Sequence, residues 1–166
     1  MKIIDNPGYL TELKPIPAEW EALRRKVSHQ AGRHAVIAGG AIRDHILGPP
    51  VKDIDIFILG MDAFAAKEIF GAEIIIYAGV EEAKHQYQTE NGLTVDLVFS
   101  QWGNVHSVLS HFDLGICRVA WDGDYIVTDD FETDRQNGTI TTFYPSPSAI
   151  GIGFTRSSLR SASRWL

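Results

Sequence analysis

The chain has 166 residues, 45% apolar and 22% charged, the balance of a soluble globular protein rather than a disordered or membrane-embedded one. Its formal net charge of −6 disfavours a broad phosphate-gripping surface, and its one cysteine, Cys117, excludes an internal disulfide and a cysteine-based zinc site. No apolar stretch nears the roughly 18 residues that span a bilayer, and the first residues lack a signal peptide's apolar region, so a single cytoplasmic domain over residues 1–166 with no membrane partner is expected.

In chain order, residues 17–27 form a first helix opened by Pro17, with acidic residues early, basic ones late, and Trp20, Leu23 and Val27 in one stripe. Residues 34–38 are a short strand, Gly39-Gly40 a turn, and residues 41–47 a helix stopped by Gly48-Pro49-Pro50. Residues 53–59 are the second strand. Asp62 caps a helix running to Phe70, and residues 72–77 are an isoleucine-rich strand. Residues 84–90 and 93–99 flank Asn91-Gly92, the strongest short hairpin signal in the chain. Residues 102–109 are helical by pattern, and residues 113–121 and 125–128 make a second hairpin around Asp122-Gly123-Asp124. A short helix around Phe131, a turn at Asn137-Gly138-Thr139, a strand over 139–143 and a helix over 156–165 complete the order.

Two features in this pattern carry chemistry. Gly39 and Gly40 lead from an apolar run into a helix start, where backbone N–H groups can meet a phosphate without Cβ interference. Asp53 and Asp55 lie two apart in a strand, so both carboxylates share one face while Ile54, Ile56 and Ile58 take the other. Two close carboxylates repel unless a cation neutralises them, and hard oxygen ligands suit Mg²⁺ or Mn²⁺. Asp96 points away from the apolar positions 93, 95, 97 and 99 of its own strand. If that strand neighbours the one bearing Asp53 and Asp55, three carboxylates converge, a ligand set for two metal ions.

Gly39-Gly40-Ala41-Ile42-Arg43-Asp44, the Leu47-Gly48 after it, and Asp53-Ile54-Asp55-Ile56 resemble the signature of the polymerase-beta-like nucleotidyltransferase superfamily. The similarity is to the head domain of the bacterial class II CCA-adding enzyme and poly(A) polymerase branch, where GGxxRDxLLG precedes DxDI. It implies an α/β (α+β) nucleotidyltransferase fold, a mixed sheet with helices mainly on one face. It also implies that Asp53, Asp55 and Asp96 bind Mg²⁺ or Mn²⁺ and are catalytic, that Gly39 and Gly40 approach a nucleoside triphosphate such as ATP, and that Arg43 and Asp44 organise the site. Phe112-Asp113-Leu114-Gly115-Ile116-Cys117 resembles the branch's RDFTIN segment at Asp113 but departs at Phe112, Gly115 and Cys117. Arg156, Arg160 and Arg164, four residues apart, resemble an arginine-rich neck helix that meets triphosphate or base, whereas the branch's tRNA-gripping body and tail have no counterpart in 166 residues.

The implied reaction moves an NMP from an NTP to an acceptor hydroxyl, releasing pyrophosphate, with an RNA 3′ end (tRNA or other, as in RNA processing), a protein or a small molecule as acceptor. The alternative is a catalytically weak nucleotide-binding or protein-interaction module on the same scaffold. Structural roles stand beside the chemical ones: Asp53 and Asp55 as an ordinary strand entry, Asp96 as a buried acid bonded to backbone N–H groups or Arg43, Asp44 as a partner of Arg43, and the three arginines as a solvated helix face. The six histidines show no ligand spacing and are taken as structural or surface residues, and Trp102 and Trp121 as packing residues.

Overall fold

A computed structural model describes residues 1–4, 15–77 and 80–143. The elements are β1 (Ile3–Ile4), α1 (Ala18–Ala31), β2 (Ala35–Ala38), α2 (Gly40–Leu47), β3 (Asp53–Leu59), α3 (Ala63–Phe70), β4 (Glu73–Tyr77), β5 (Val80–Gln88), β6 (Thr94–Ser100), α4 (Val105–Ser110), β7 (Val119–Trp121), β8 (Tyr125–Thr128) and α5 (Asp129–Asn137). The strands form one 8-stranded mixed sheet in the order β1-β8-β7-β2-β3-β6-β5-β4. β3 and β6 run parallel at its centre, and the other registered neighbours are antiparallel.

Alternation along β3 and β6 separates the two faces of the sheet. Ile54, Ile56, Ile58, Val95, Leu97 and Phe99 are all buried on one side. Leu23 and Val27 of α1 and Ile69 and Phe70 of α3 share a cavity lining with Leu97, and the Phe70 ring lies 5.2 Å from that of Phe99, so both helices cover this apolar face. The other face carries Asp53, Asp55, Phe57 and Asp96. It is covered in part by Phe112, whose ring meets Phe57 edge to face at 5.8 Å.

α1 is tied to the sheet by a polar clamp. The buried Arg24 donates through Nη1 to the Ala35 carbonyl at 2.9 Å and through Nε and Nη2 to Glu21, which also accepts from Trp121 Nε1 at 2.8 Å. Trp121 thus does more than pack: it joins β7 to the first helix.

Two predicted strands are corrected. Residues 113–121 are not one strand, because Gly115–Cys117 forms a 3-10 turn and β7 begins only at Val119. The cause lies in α5: the buried Asp134 carboxylate accepts from Thr139 Oγ1 and from both the backbone N–H and Oγ1 of Thr141, and Oδ2 would lie 2.6 Å from any Cβ at Gly115. The same clamp folds residues 139–143 into an irregular segment with one bridge, Leu114 to Thr142, in place of the predicted strand. The helix predicted from Trp102 starts at Val105, after Asn104 caps it by accepting from Ser107 N–H at 2.8 Å. Asn137-Gly138-Thr139 is a turn, Gly138 closing α5 at φ 63°. The helix expected over 156–165 lies outside the described residues. Among the described residues no helix is long and apolar enough to cross a membrane.

Hydrogen bonds from Arg24 foremost, then from Arg25 and Trp121, hold the Glu21 carboxyl at about 2 against the opposing effect of burial. Because its folded-state value lies below the ordinary one, Glu21 stabilises the fold above about pH 4.5 and loses that contribution as the pH falls toward 2. Glu21→Gln is therefore expected to cost about 1–2 kcal/mol at pH 7. In thermal denaturation at a series of pH values, that deficit shrinks as the pH approaches 2; a deficit independent of pH would contradict the ionic role.

Candidate active site

The parallel register of β3 and β6 sets Asp53 opposite Thr94 and Asp55 directly opposite Asp96, so the three carboxylates occupy one face at one end of two neighbouring strands. The side chains differ in surroundings: Asp53 is exposed at the strand entry, Asp55 is half-buried, and Asp96 is buried. Burial first, then the charges of Asp96 and Asp53, push the Asp55 carboxyl up to about 7, with Lys84 opposing. Asp55 therefore resists ionisation in the fold, chiefly because it is removed from water, and the charges of Asp96 and Asp53 add to that resistance.

Asp96, by contrast, has partners on β5. Its Oδ1 accepts from Gln86 Nε2 at 2.6 Å and its Oδ2 pairs with Lys84 Nζ at 2.9 Å. Gln86 is the direct cross-strand partner of Asp96, and Lys84, opposite Val98, lies two residues along on the same face. The structural reading that paired Asp96 with backbone N–H groups or Arg43 is thus replaced by a pairing with two β5 side chains. Among the described residues no three His, Cys, Asp or Glu side chains converge, as placed, into a closed metal cage. The donor chemistry nevertheless fits a hard divalent cation: Asp55 sits beside the charges of Asp96 and Asp53, and the Lys84 ammonium that offsets them is paired with Asp96.

Across β2, the last registered pair with β3 is Ile37 with Ile56, so the glycine turn leaves the sheet beside Asp55. Gly39 adopts φ 80°, ψ −135°, a conformation open to glycine, and its N–H donates to the Val119 carbonyl at 2.9 Å. A Cβ there would meet Phe112 Cε1 at 2.8 Å. Phe112 therefore packs directly beneath the turn. Gly40 is the first residue of α2, and a Cβ on it would lie 3.7 Å from Arg43 Nη2, so its missing side chain leaves that edge of the guanidinium beside the turn. The other edges of Arg43 are engaged, Nε with Asp44 Oδ1 at 2.6 Å and Nη1 with Cys117 Sγ at 3.2 Å. Asp44 thus orients Arg43.

Burial pushes the Cys117 thiol up; Arg43 opposes this, and the charges of Asp113 and Asp44 add to it, so these four residues form one neighbourhood. Asp113 is itself exposed, with its carbonyl accepting from Phe143 N–H at 2.7 Å. Arg156 and Arg160, expected to meet phosphate, lie outside the described residues together with Arg164. His111 stacks on Trp102 with ring centroids 4.0 Å apart, a packing role.

Three residues near the site do not stand out in the sequence: Lys84, Gln86 and Arg118. The buried Arg118 donates to the carbonyls of Phe112 and Ser110 and to Asp130, fixing the segment that supports Gly39. Charged and polar residues alternating at 84 and 86 on a strand that pairs with Asp96 were the available signal for the other two.

Residues 19–136 match the sequence profile described as the Gabija anti-defense 2 family. The chain belongs to the Gabija anti-defense 2 family. This family member is also 27% identical over 120 residues to the CC-adding tRNA nucleotidyltransferase of Halalkalibacterium halodurans, an alignment covering 69% of the chain and 30% of that protein. Its fold is similar to that of the Thermotoga maritima CCA-adding enzyme complexed with tRNA, with a TM-score of 0.58 and 22% identity over 87% of this chain and 37% of that one. It is similar also to a CCA-adding enzyme in complex with ATP, with a TM-score of 0.58 and 21% identity over 87% and 38% of the two chains. The chain thus has the nucleotidyltransferase fold of those enzymes and spans 30–38% of their length.

The raised Asp55 value fixes the sign of a stability test. A carboxyl whose folded-state value exceeds the ordinary one resists ionisation in the fold, so stability is greatest below about pH 4 and falls as the pH rises through 7. Asp55→Asn removes the charge that burial first, and then Asp96 and Asp53, oppose. It is expected to be more stable than the wild type by about 2–4 kcal/mol at pH 8 and nearly equal to it at pH 4. Urea denaturation of both proteins at the two pH values checks this; equal stability at pH 8 would contradict it.

Proposed function

We propose that the protein is a metal-dependent nucleotidyltransferase that moves an NMP from an NTP to an acceptor hydroxyl with release of pyrophosphate. The observation that carries this reading is the register of Asp55 with Asp96, Asp53 on the same face, beside a glycine turn that opens a helix. Asp53, Asp55 and Asp96 would hold Mg²⁺ or Mn²⁺, which when bound supplies charge neutralisation at the triphosphate and lowers the barrier to attack by a hydroxyl oxygen. Gly39 and Gly40 present backbone to the triphosphate, and Arg43, oriented by Asp44 and Cys117, offers Nη2 to it. Asp113, near Cys117, borders the nucleotide side, and Arg156 and Arg160 add phosphate contacts. Positioning of donor and acceptor for in-line attack then accounts for the rest of the rate.

The single sheet that joins all eight strands supports treating the described residues as one nucleotidyltransferase domain. The acceptor is an RNA 3′ end, a protein or a small molecule in the cytoplasm, and membership of an anti-defense family makes components of the Gabija defence the first acceptors to try. One observation favours a second reading, a nucleotide-binding module without transfer: Lys84 already pairs with the third carboxylate.

Incubation with each α-labelled NTP, Mg²⁺ and an extract of cells carrying that defence separates the two. Transfer predicts label in RNA, protein or small molecules with the wild type and a loss of at least about 100-fold with Asp53→Asn/Asp55→Asn. Calorimetric NTP binding with no transfer by the wild type would favour the module instead.

A further inference from the structure

We propose that Lys84 is a built-in counter-ion that holds Asp96 toward β5 and must be displaced before a divalent cation can use that carboxylate. The inference rests on the metal-dependent reading above. β6 lies between β3 and β5, so the Asp96 carboxylate has two directions to turn: toward Asp55 on one neighbour or toward Gln86 and Lys84 on the other. It takes the second, with 2.6 Å and 2.9 Å contacts to the two β5 side chains. This explains why the three carboxylates share a face yet do not close into a cage.

The two residues do unequal work. Gln86 is neutral and can stay bonded to one oxygen while the other binds a cation. Lys84 carries a positive charge at the remaining oxygen, and a divalent ion placed there would face it at close range with like sign. The Lys84 side chain is 46% exposed whereas that of Asp96 is 10% exposed, so the ammonium has water to move into and the carboxylate does not. Displacement thus costs the pair but strands no charge in the interior. Lys84 therefore sets the cation affinity of the site and keeps Asp96 compensated in its absence. It is a positioning residue: it touches a metal-holding carboxylate, not the reacting atoms.

The test is Mn²⁺ binding, read from the electron paramagnetic resonance signal of free Mn²⁺, with the whole chain and no nucleotide. Lys84→Met is expected to bind Mn²⁺ about tenfold more tightly than the wild type, equivalent to about 1.4 kcal/mol. Lys84→Arg keeps the charge and should keep the wild-type affinity, and in an Asp96→Asn background Lys84→Met should change nothing. A measurement without variants accompanies it: in the wild type, the rate of Lys84 amine acylation followed by mass spectrometry should rise when Mg²⁺ is added. Equal Mn²⁺ affinity in the wild type and Lys84→Met, or a Lys84 acylation rate unmoved by Mg²⁺ at saturating concentration, would overturn the role of Lys84 while leaving the metal site standing. Absence of Mn²⁺ binding in both proteins would overturn the metal reading and this one with it.

Discussion

The parallel pairing of β3 with β6 places Asp55 against Asp96 at the centre of the sheet, and much of the site follows from that register. Like charges on adjacent strands oppose folding unless something offsets them, and here the offset is provided unequally. Asp96 has Lys84 and Gln86. Asp55 has burial and two acidic neighbours, which is why it resists ionisation up to about pH 7. The apolar alternation of Ile54, Ile56 and Ile58 against α1 and α3 keeps the strand in place in spite of this repulsion, since a one-residue slip would put isoleucines on the polar face and carboxylates in the core. The fold's stability thus maintains an arrangement that is locally unfavourable.

The rest of the carboxylate face is arranged around the glycine turn. Phe112 fills the space below Gly39, Arg118 pins the backbone of Phe112, and Cys117 receives Arg43. The resemblance to the class II CCA-adding branch departs in the segment 112–117. The structure gives those departures a common physical role: an aromatic ring and a thiol replace polar groups with packing and a weak acceptor. Gly115 is small because Asp134 lies against it. The nucleotidyltransferase fold is shared with the CCA-adding enzymes, whereas the family membership is that of Gabija anti-defense 2.

Strong periodicity made most elements legible in the sequence. The limits of β3 coincide with the predicted strand, Asp62 caps α3 as expected by accepting from Ala65 N–H, and the adjacency of the two aspartate strands holds. What escaped depends on contacts distant in sequence. Residues 113–118 and 139–143 look extended, but the Asp134 carboxylate organises both, and no local pattern announces a clamp from the following helix. The two-residue strand β1 is too short for any periodic signal. Lys84 was hidden by hairpin register. A two-residue turn at Asn91-Gly92 would set Tyr87 opposite Asp96, but Thr89 N–H donates to the Leu93 carbonyl, closing a three-residue loop with Gly92 at φ 78° and bringing Gln86 into that place.

On the proposed function, the β3 and β6 carboxylates form one electrostatically coupled group that a divalent cation would relieve. The most direct measurement is a carboxyl ¹³C NMR titration of Asp55 in the wild-type chain, without and with Mg²⁺. A midpoint near 7 is expected in the metal-free protein, with a fall toward the ordinary carboxylate range on adding Mg²⁺. A midpoint in the ordinary range from the outset, unmoved by Mg²⁺, would contradict that coupling.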